Sequence, residues 1–148
     1  MIGMVLVTHG ALAEELRLAM EHVVGPQKHV SALCIGPEDD METRRAELRA
    51  RVAEARQGSD GVVVLTDMFG GSPANLAISM LDEGDVEVIA GVNLPLLVKL
   101  ARLRGTEPMA EAVAHAVAAG RKYLGTVADL RSGPYAGTAK PAAPGGQS

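Results

Sequence analysis

The run Val62-Val63-Val64-Leu65-Thr66-Asp67 decides the fold. Its apolar residues are continuous rather than alternating, the reading of a strand covered on both faces, and such strands belong to parallel sheets with helices on each side. The run stops at a carboxylate and leads into Met68-Phe69-Gly70-Gly71-Ser72-Pro73-Ala74-Asn75. Upstream, Ile2-Gly3-Met4-Val5-Leu6-Val7-Thr8 is a second apolar run that ends in the polar His9 before the turn-former Gly10. Further strands are expected at His29 to Ile35 and Val86 to Val92. Between them lie stretches with apolar residues at intervals of three and four, the helical period. Leu12, Leu16, Ala19, Met20 and Val23 make one such face, stopped by Gly25-Pro26.

Acidic Glu38-Asp39-Asp40 opens a second helix reaching about Gln57. Ser72, before a Pro at the first helical position, is the expected N-cap of a third, to about Asp82. Asn93-Leu94-Pro95 opens a fourth to Arg104 and Thr106-Glu107-Pro108 a fifth to Tyr123. Thr126 to Leu130 reads as a fifth, edge strand. The expected class is therefore α/β: an open, mostly parallel sheet of about four strands plus an edge strand, with helices on both faces. One domain covers residues 1–131. From Ser132 on, Gly, Pro, Ala, Ser and Thr dominate, and a disordered tail over 132–148 is expected.

Bulk properties exclude several classes. A net charge of −4, with no Lys/Arg cluster interleaved with aromatics, gives nucleic-acid binding no support. No apolar stretch approaches the roughly 20 residues needed to cross a bilayer, so no membrane insertion is expected. The N-terminal run lacks the basic flank and cleavage site of a signal peptide. The single cysteine, Cys34, rules out an internal disulfide and fits a reducing cytoplasm; its apolar setting reads as a core thiol. With aromatics at 2%, recognition of sugars or bases by stacking is a poor fit.

In open α/β sheets ligands collect outside the carboxyl ends of the strands. His9, Asp67 and the glycine-rich helix start therefore face one region. Neighbouring strands lie about 4.8 Å apart, so a carboxylate on one can hold an imidazole on the next and leave its other nitrogen free as a nucleophile. Gly70 and Gly71 permit close backbone approach, and with Ser72 the helix start offers amides to an anion. Plainer readings stand beside these: a strand-end histidine bonded to backbone, a turn-capping aspartate, a simple turn with a serine cap. His9 and Asp67 are also two candidate metal ligands, but no Cys or further His sits at ligand spacing, and no metal is expected. His22, His29 and His115 read as structural or solvated.

Thr8-His9-Gly10, the segment Leu65 to Asn75 and Gly91-Val92-Asn93-Leu94-Pro95 resemble, in pattern and order, the IIA component of the mannose-type (mannose/fructose/sorbose) sugar phosphotransferase system. The likeness covers about residues 1–125. It implies a cytoplasmic phosphocarrier without cofactor. His9 would take a phosphoryl group from the carrier HPr and pass it to a IIB component, while Asp67 orients the imidazole. It also implies a homodimer, in some relatives with an exchanged edge strand. Two other functions remain on the same residues: the related phosphoryl-donor subunit of a dihydroxyacetone kinase, and a regulator whose binding depends on the phosphorylation state of His9. A plain anion or phosphosugar-binding module is the last alternative.

Overall fold

The computed structural model describes residues 1–56, 58 and 60–133. Four strands, β1 (Gly3–His9), β2 (Val30–Ile35), β3 (Val62–Thr66) and β4 (Val86–Ala90), form one sheet in the order β2-β1-β3-β4. All three pairings are parallel. The helices are α1 (Leu12–Val24), α2 (Met41–Arg56), α3 (Ser72–Ile78), α4 (Leu94–Leu103), α5 (Met109–Lys122) and α6 (Val127–Ser132).

Both faces of the sheet are covered. Met4, Leu6, Val63, Leu65 and Ile89 point into a core closed by α1, α4 and α5. The intervening Val5, Val7, Val62 and Val64 point the other way, against Leu48 and Val52 of α2 and Leu76 and Ala77 of α3. The period-two exchange of faces along β1 and β3 explains their uninterrupted hydrophobicity: every residue before His9 in β1, and all of β3, is buried on one side or the other. Gly3 sets how closely α2 sits on β1. A Cβ there would lie 2.5 Å from the Ala55 carbonyl oxygen, so a larger residue would push the helix off the sheet.

The structure corrects three expectations. The segment read as a fifth, edge strand is helix α6: the Thr126 hydroxyl accepts the Asp129 amide at 3.1 Å, an N-cap that outweighs the β-branched pair Thr126-Val127. Ser72 is not the cap of α3. It is the first helical residue, Gly71 holds the cap position, and no side chain caps the helix. The third helix is also shorter than expected, ending at Ile78 and tightening into a 3-10 turn over Ser79–Glu83. Asn93-Leu94-Pro95, by contrast, opens α4 as expected, and Asn93 caps it: its side-chain oxygen accepts the Leu96 amide at 3.0 Å while its Nδ2 donates to the Gly120 carbonyl at 3.0 Å, tying α4 to α5. The expected disordered tail lies, from residue 134 on, outside the described residues.

Candidate functional site

The site is made where β1 and β3 end. Their ladder runs as far as Val7 and Thr66, and beyond it the Asp67 carboxylate takes the place of a backbone acceptor: its Oδ2 accepts the His9 amide at 3.1 Å. The same oxygen lies 2.9 Å from His9 Nδ1. Oδ1 accepts the Met68 amide at 3.1 Å and the Thr66 hydroxyl at 3.3 Å. The carboxylate is thus held by four donors and has little freedom to rotate.

Burial raises the Asp67 pKa, but the bonds from the His9 ring and amide outweigh it and hold the carboxyl below its ordinary value. An ionised carboxylate only accepts. Nδ1 must therefore carry the proton, and in the neutral ring Nε2 keeps its lone pair. The His9 side chain is 50% exposed and that of Asp67 14%. Nδ1 is held by the carboxylate; Nε2 has no hydrogen-bond partner among the described residues.

Gly71 closes the opposite side. A Cβ on it would lie 3.3 Å from both Cε1 and Nε2 of His9. Its φ of 93° and ψ of 172° also lie where essentially only glycine is unstrained. Close contact with the Cε1–Nε2 edge of the ring and an extended left-handed backbone thus both require glycine. Gly70, with φ of 99°, precedes it at the surface, and Ser72 is exposed at the start of α3. The first amides of a helix have no acceptor within it, so this turn offers donors beside Nε2.

His9, Asp67, Gly70, Gly71 and Ser72 are therefore brought together at one edge. Three further residues lie at this edge to which the sequence alone gives no role. Thr66 holds Asp67 from beneath and is 1% exposed; a threonine at the end of an apolar run carries no mark of that role. Phe69 is 81% exposed and Met68 55%, an apolar pair on the loop beside His9. The only phenylalanine of the chain is turned to solvent instead of the core, and its place before Gly-Gly was the available signal.

Of the other candidates, His22 is exposed near the end of α1. His29 has φ of 59° and presents its carbonyl to the Met4 amide. His115 is paired through Nδ1 with Glu107 at 2.8 Å rather than merely solvated. Cys34 is half-buried and packs on the core. Among the described residues no three His, Cys, Asp or Glu side chains gather to hold a metal ion, and no helix is long and apolar enough to cross a membrane.

A parallel α/β sheet whose carboxyl edge holds an oriented, half-exposed histidine beside a glycine turn defines a class suited to chemistry on that ring. The family follows from comparison. The family model described as "PTS system fructose IIA component" (EIIA-man) matches residues 3–117, and the chain belongs to this mannose-type family of phosphotransferase-system IIA components. It is 38% identical over 123 residues to the "PTS system mannose-specific EIIAB component" of Escherichia coli, covering 82% of this chain but only 38% of that longer protein. Among solved structures, the "Mannose/sorbose specific IIA subunit of phosphotransferase system" of Enterococcus faecalis superposes with a TM-score of 0.75 at 28% identity, covering 84% of this chain and 93% of that one. The PTS IIA protein associated with the fucose utilization operon of Streptococcus pneumoniae gives 0.76 at 29% identity, over 86% and 94%.

Proposed function

We infer that this chain is a cytoplasmic phosphoryl carrier of a sugar phosphotransferase system, accepting the group from phospho-HPr on Nε2 of His9 and delivering it to a IIB component. The observation that carries this reading is the 2.9 Å contact between His9 Nδ1 and Asp67. It fixes the tautomer in which Nε2 is the nucleophile.

In the forward step the Nε2 lone pair forms a bond to phosphorus as the N–P bond of the donor phosphohistidine breaks, and the donor ring leaves with the electron pair. Positive charge that develops on the His9 ring is stabilised by Asp67 through the retained Nδ1 proton. The transferred group brings about two negative charges. The amides at Gly70, Gly71 and Ser72 offset these and the repulsion from Asp67, as preorganised donors do in other phosphoryl transfers. Because α3 is short, individual amides matter here more than a long-helix dipole. Transfer between two histidines needs neither metal nor nucleotide. The exposed Phe69 and Met68 offer the apolar contact on which a carrier protein would seat its own histidine beside Nε2.

The E. coli relative's combined AB composition supports a IIB acceptor downstream. The homodimer implied by family resemblance is open to test by sedimentation equilibrium. The reading itself is tested by incubating the protein with phosphoenolpyruvate, enzyme I and HPr. The wild type should acquire acid-labile phosphate and surrender it to an added IIB protein. His9→Gln should stay folded and acquire none. Undiminished labelling of that variant would reject His9 as the acceptor, and labelling that no IIB protein can discharge would favour a regulatory switch over a relay.

A further inference from the structure

On the face of the molecule formed by α4 and α5 lies an open groove of about 470 Å³. The start of α4 meets the end of α5, as the Asn93–Gly120 bond shows, so the helices run antiparallel. Pro95, Val98 and Arg102 line the groove from α4; His115, Ala119 and Lys122 line it from α5. Each set spans eight residues at helical spacing, two turns, or about 10 Å at 1.5 Å per residue. The small Ala118 and Ala119 leave room between the ridges.

The rim is basic. Lys99, Arg102 and Lys122 line the groove, with the Lys122 ammonium lying 5.3 Å from the centre of the Tyr123 ring, and no carboxylate lines it. This contrasts with α2, where Arg44, Arg45, Arg49 and Arg51 each engage an acidic side chain. Among the described residues neither Lys99 nor Arg102 has such a partner. In a chain of net charge −4, two neighbouring cations without a carboxylate partner, Lys99 and Arg102, over an apolar floor favour an anionic partner. Glu107 holds the His115 ring through Nδ1 at the wall.

We propose that the α4/α5 groove is a docking site for an amphipathic helix of another protein, with an apolar stripe set on Val98, Ala118 and Ala119 and an acidic flank facing Lys99 and Arg102. The groove is open along its length and matches two helical turns, the geometry of helix-in-groove recognition rather than of an enclosed small-molecule pocket. A second copy of this chain is a poorer occupant. On its acidic helix α1, Arg17 already pairs with both Glu14 and Glu21. Because α4 starts just after Gly91 and Val92, whose amides bond the Thr66 carbonyl, the groove begins at the same sheet edge as His9 and runs away from it. A bound helix would thus sit beside the relay site without covering it, and the proposal stands independently of the phosphoryl reading.

The test uses the full-length protein and a fluorescein-labelled 14-residue peptide with leucines at intervals of three and four flanked by glutamates, read by fluorescence anisotropy. The expected result is saturable one-to-one binding. It should weaken at least tenfold for the double variant Lys99→Glu/Arg102→Glu and for a peptide of the same composition with its leucines scattered. The double variant should keep its circular dichroism and its phosphoryl uptake from HPr. No saturable binding overturns the proposal, as does binding indifferent to scrambling, which would mean charge attraction alone. If the small anion 8-anilinonaphthalene-1-sulfonate binds at the groove and the peptide does not, the site belongs to small amphipathic anions. Sedimentation showing a dimer that the double variant abolishes would assign the groove to a second copy. Either result contradicts the docking of a foreign helix.

Discussion

The two ends of the β-sheet handle polar groups in opposite ways. At the amino end Arg104, 2% exposed, is surrounded by acceptors. Its guanidinium donates to the carbonyls of Ile2 at 2.8 Å and Lys28 at 2.5 Å and to the Gln27 side chain at 3.0 Å, and its own carbonyl accepts the Ile2 amide at 2.9 Å. Burial pushes its pKa down to about 10, so it remains a cation at neutral pH. At the carboxyl end the half-exposed His9 ring is held through Nδ1 only, and Nε2 lies beside the Gly71 backbone with no hydrogen-bond partner among the described residues. The closed network binds the ends of β1, β2 and α4 together. In the proposed reaction the open one supplies the nucleophile. Stability and reactivity are thus separated by the length of the strands.

That contrast breaks first at Arg104. Replacing it by Met strands buried carbonyls and should lower the unfolding free energy by about 3 kcal/mol, or the melting temperature by roughly 10 °C, as read by denaturant and thermal melts. Phosphoryl uptake by the folded variant at low temperature should match the wild type. An unchanged melt, or slow uptake at full folding, would mean the two ends are not separable.

At the other end Asp67→Asn should slow uptake roughly 100-fold with a much smaller effect on the melt, since it removes orientation and not core. Its stability effect also has a defined pH sign. The folded-state pKa of Asp67 lies below the ordinary value of 3.8, so its contribution is fully present above that value and is lost as pH falls through the folded pKa. The difference between wild type and Asp67→Asn in urea melts should therefore shrink only below about pH 4. A difference that grew as the pH fell below about 4 would reverse the assignment.

Gly71→Ala should reduce uptake roughly tenfold and cost about 1–3 kcal/mol from its backbone conformation. It sharpens the comparison because one residue then carries both a stability and a reactivity penalty. The smallest effect belongs to Phe69→Ser: a three- to tenfold rise in KM for HPr, with kcat and melting temperature unchanged, measured by initial rates. A change in kcat would place Phe69 in the chemistry instead of the docking contact.

The sequence betrayed these two ends unequally. His9, Asp67, Gly70 and Gly71 were legible because each breaks a pattern: a polar residue ends an apolar run, or paired glycines precede a proline. The buried strands were legible for the same reason, their hydrophobicity having no gaps. Arg104 was not, because its partners are mostly backbone carbonyls supplied by distant segments, and a carbonyl leaves no trace in residue identity. Thr66 hides similarly, as a β-branched residue at home in any strand. The misread fifth strand had local causes on both sides. Thr126 and Val127 favour extension, but Thr126 with Asp129 three residues on also resembles a capping pair, and the observed Thr126–Asp129 bond settles it for helix. Ser72 was displaced from the cap because Gly71 must take the left-handed conformation against the His9 ring.

The central claim is that Asp67 reserves Nδ1 and leaves Nε2 to react. Nitrogen-15 NMR of histidine-labelled protein, recorded before and after phosphorylation by enzyme I, HPr and phosphoenolpyruvate, reads this directly. The expected result is a single phosphorylated ring, His9, with phosphorus coupled to Nε2 and a proton kept on Nδ1. Phosphorus coupled to Nδ1, or carried by a ring other than His9, would contradict it.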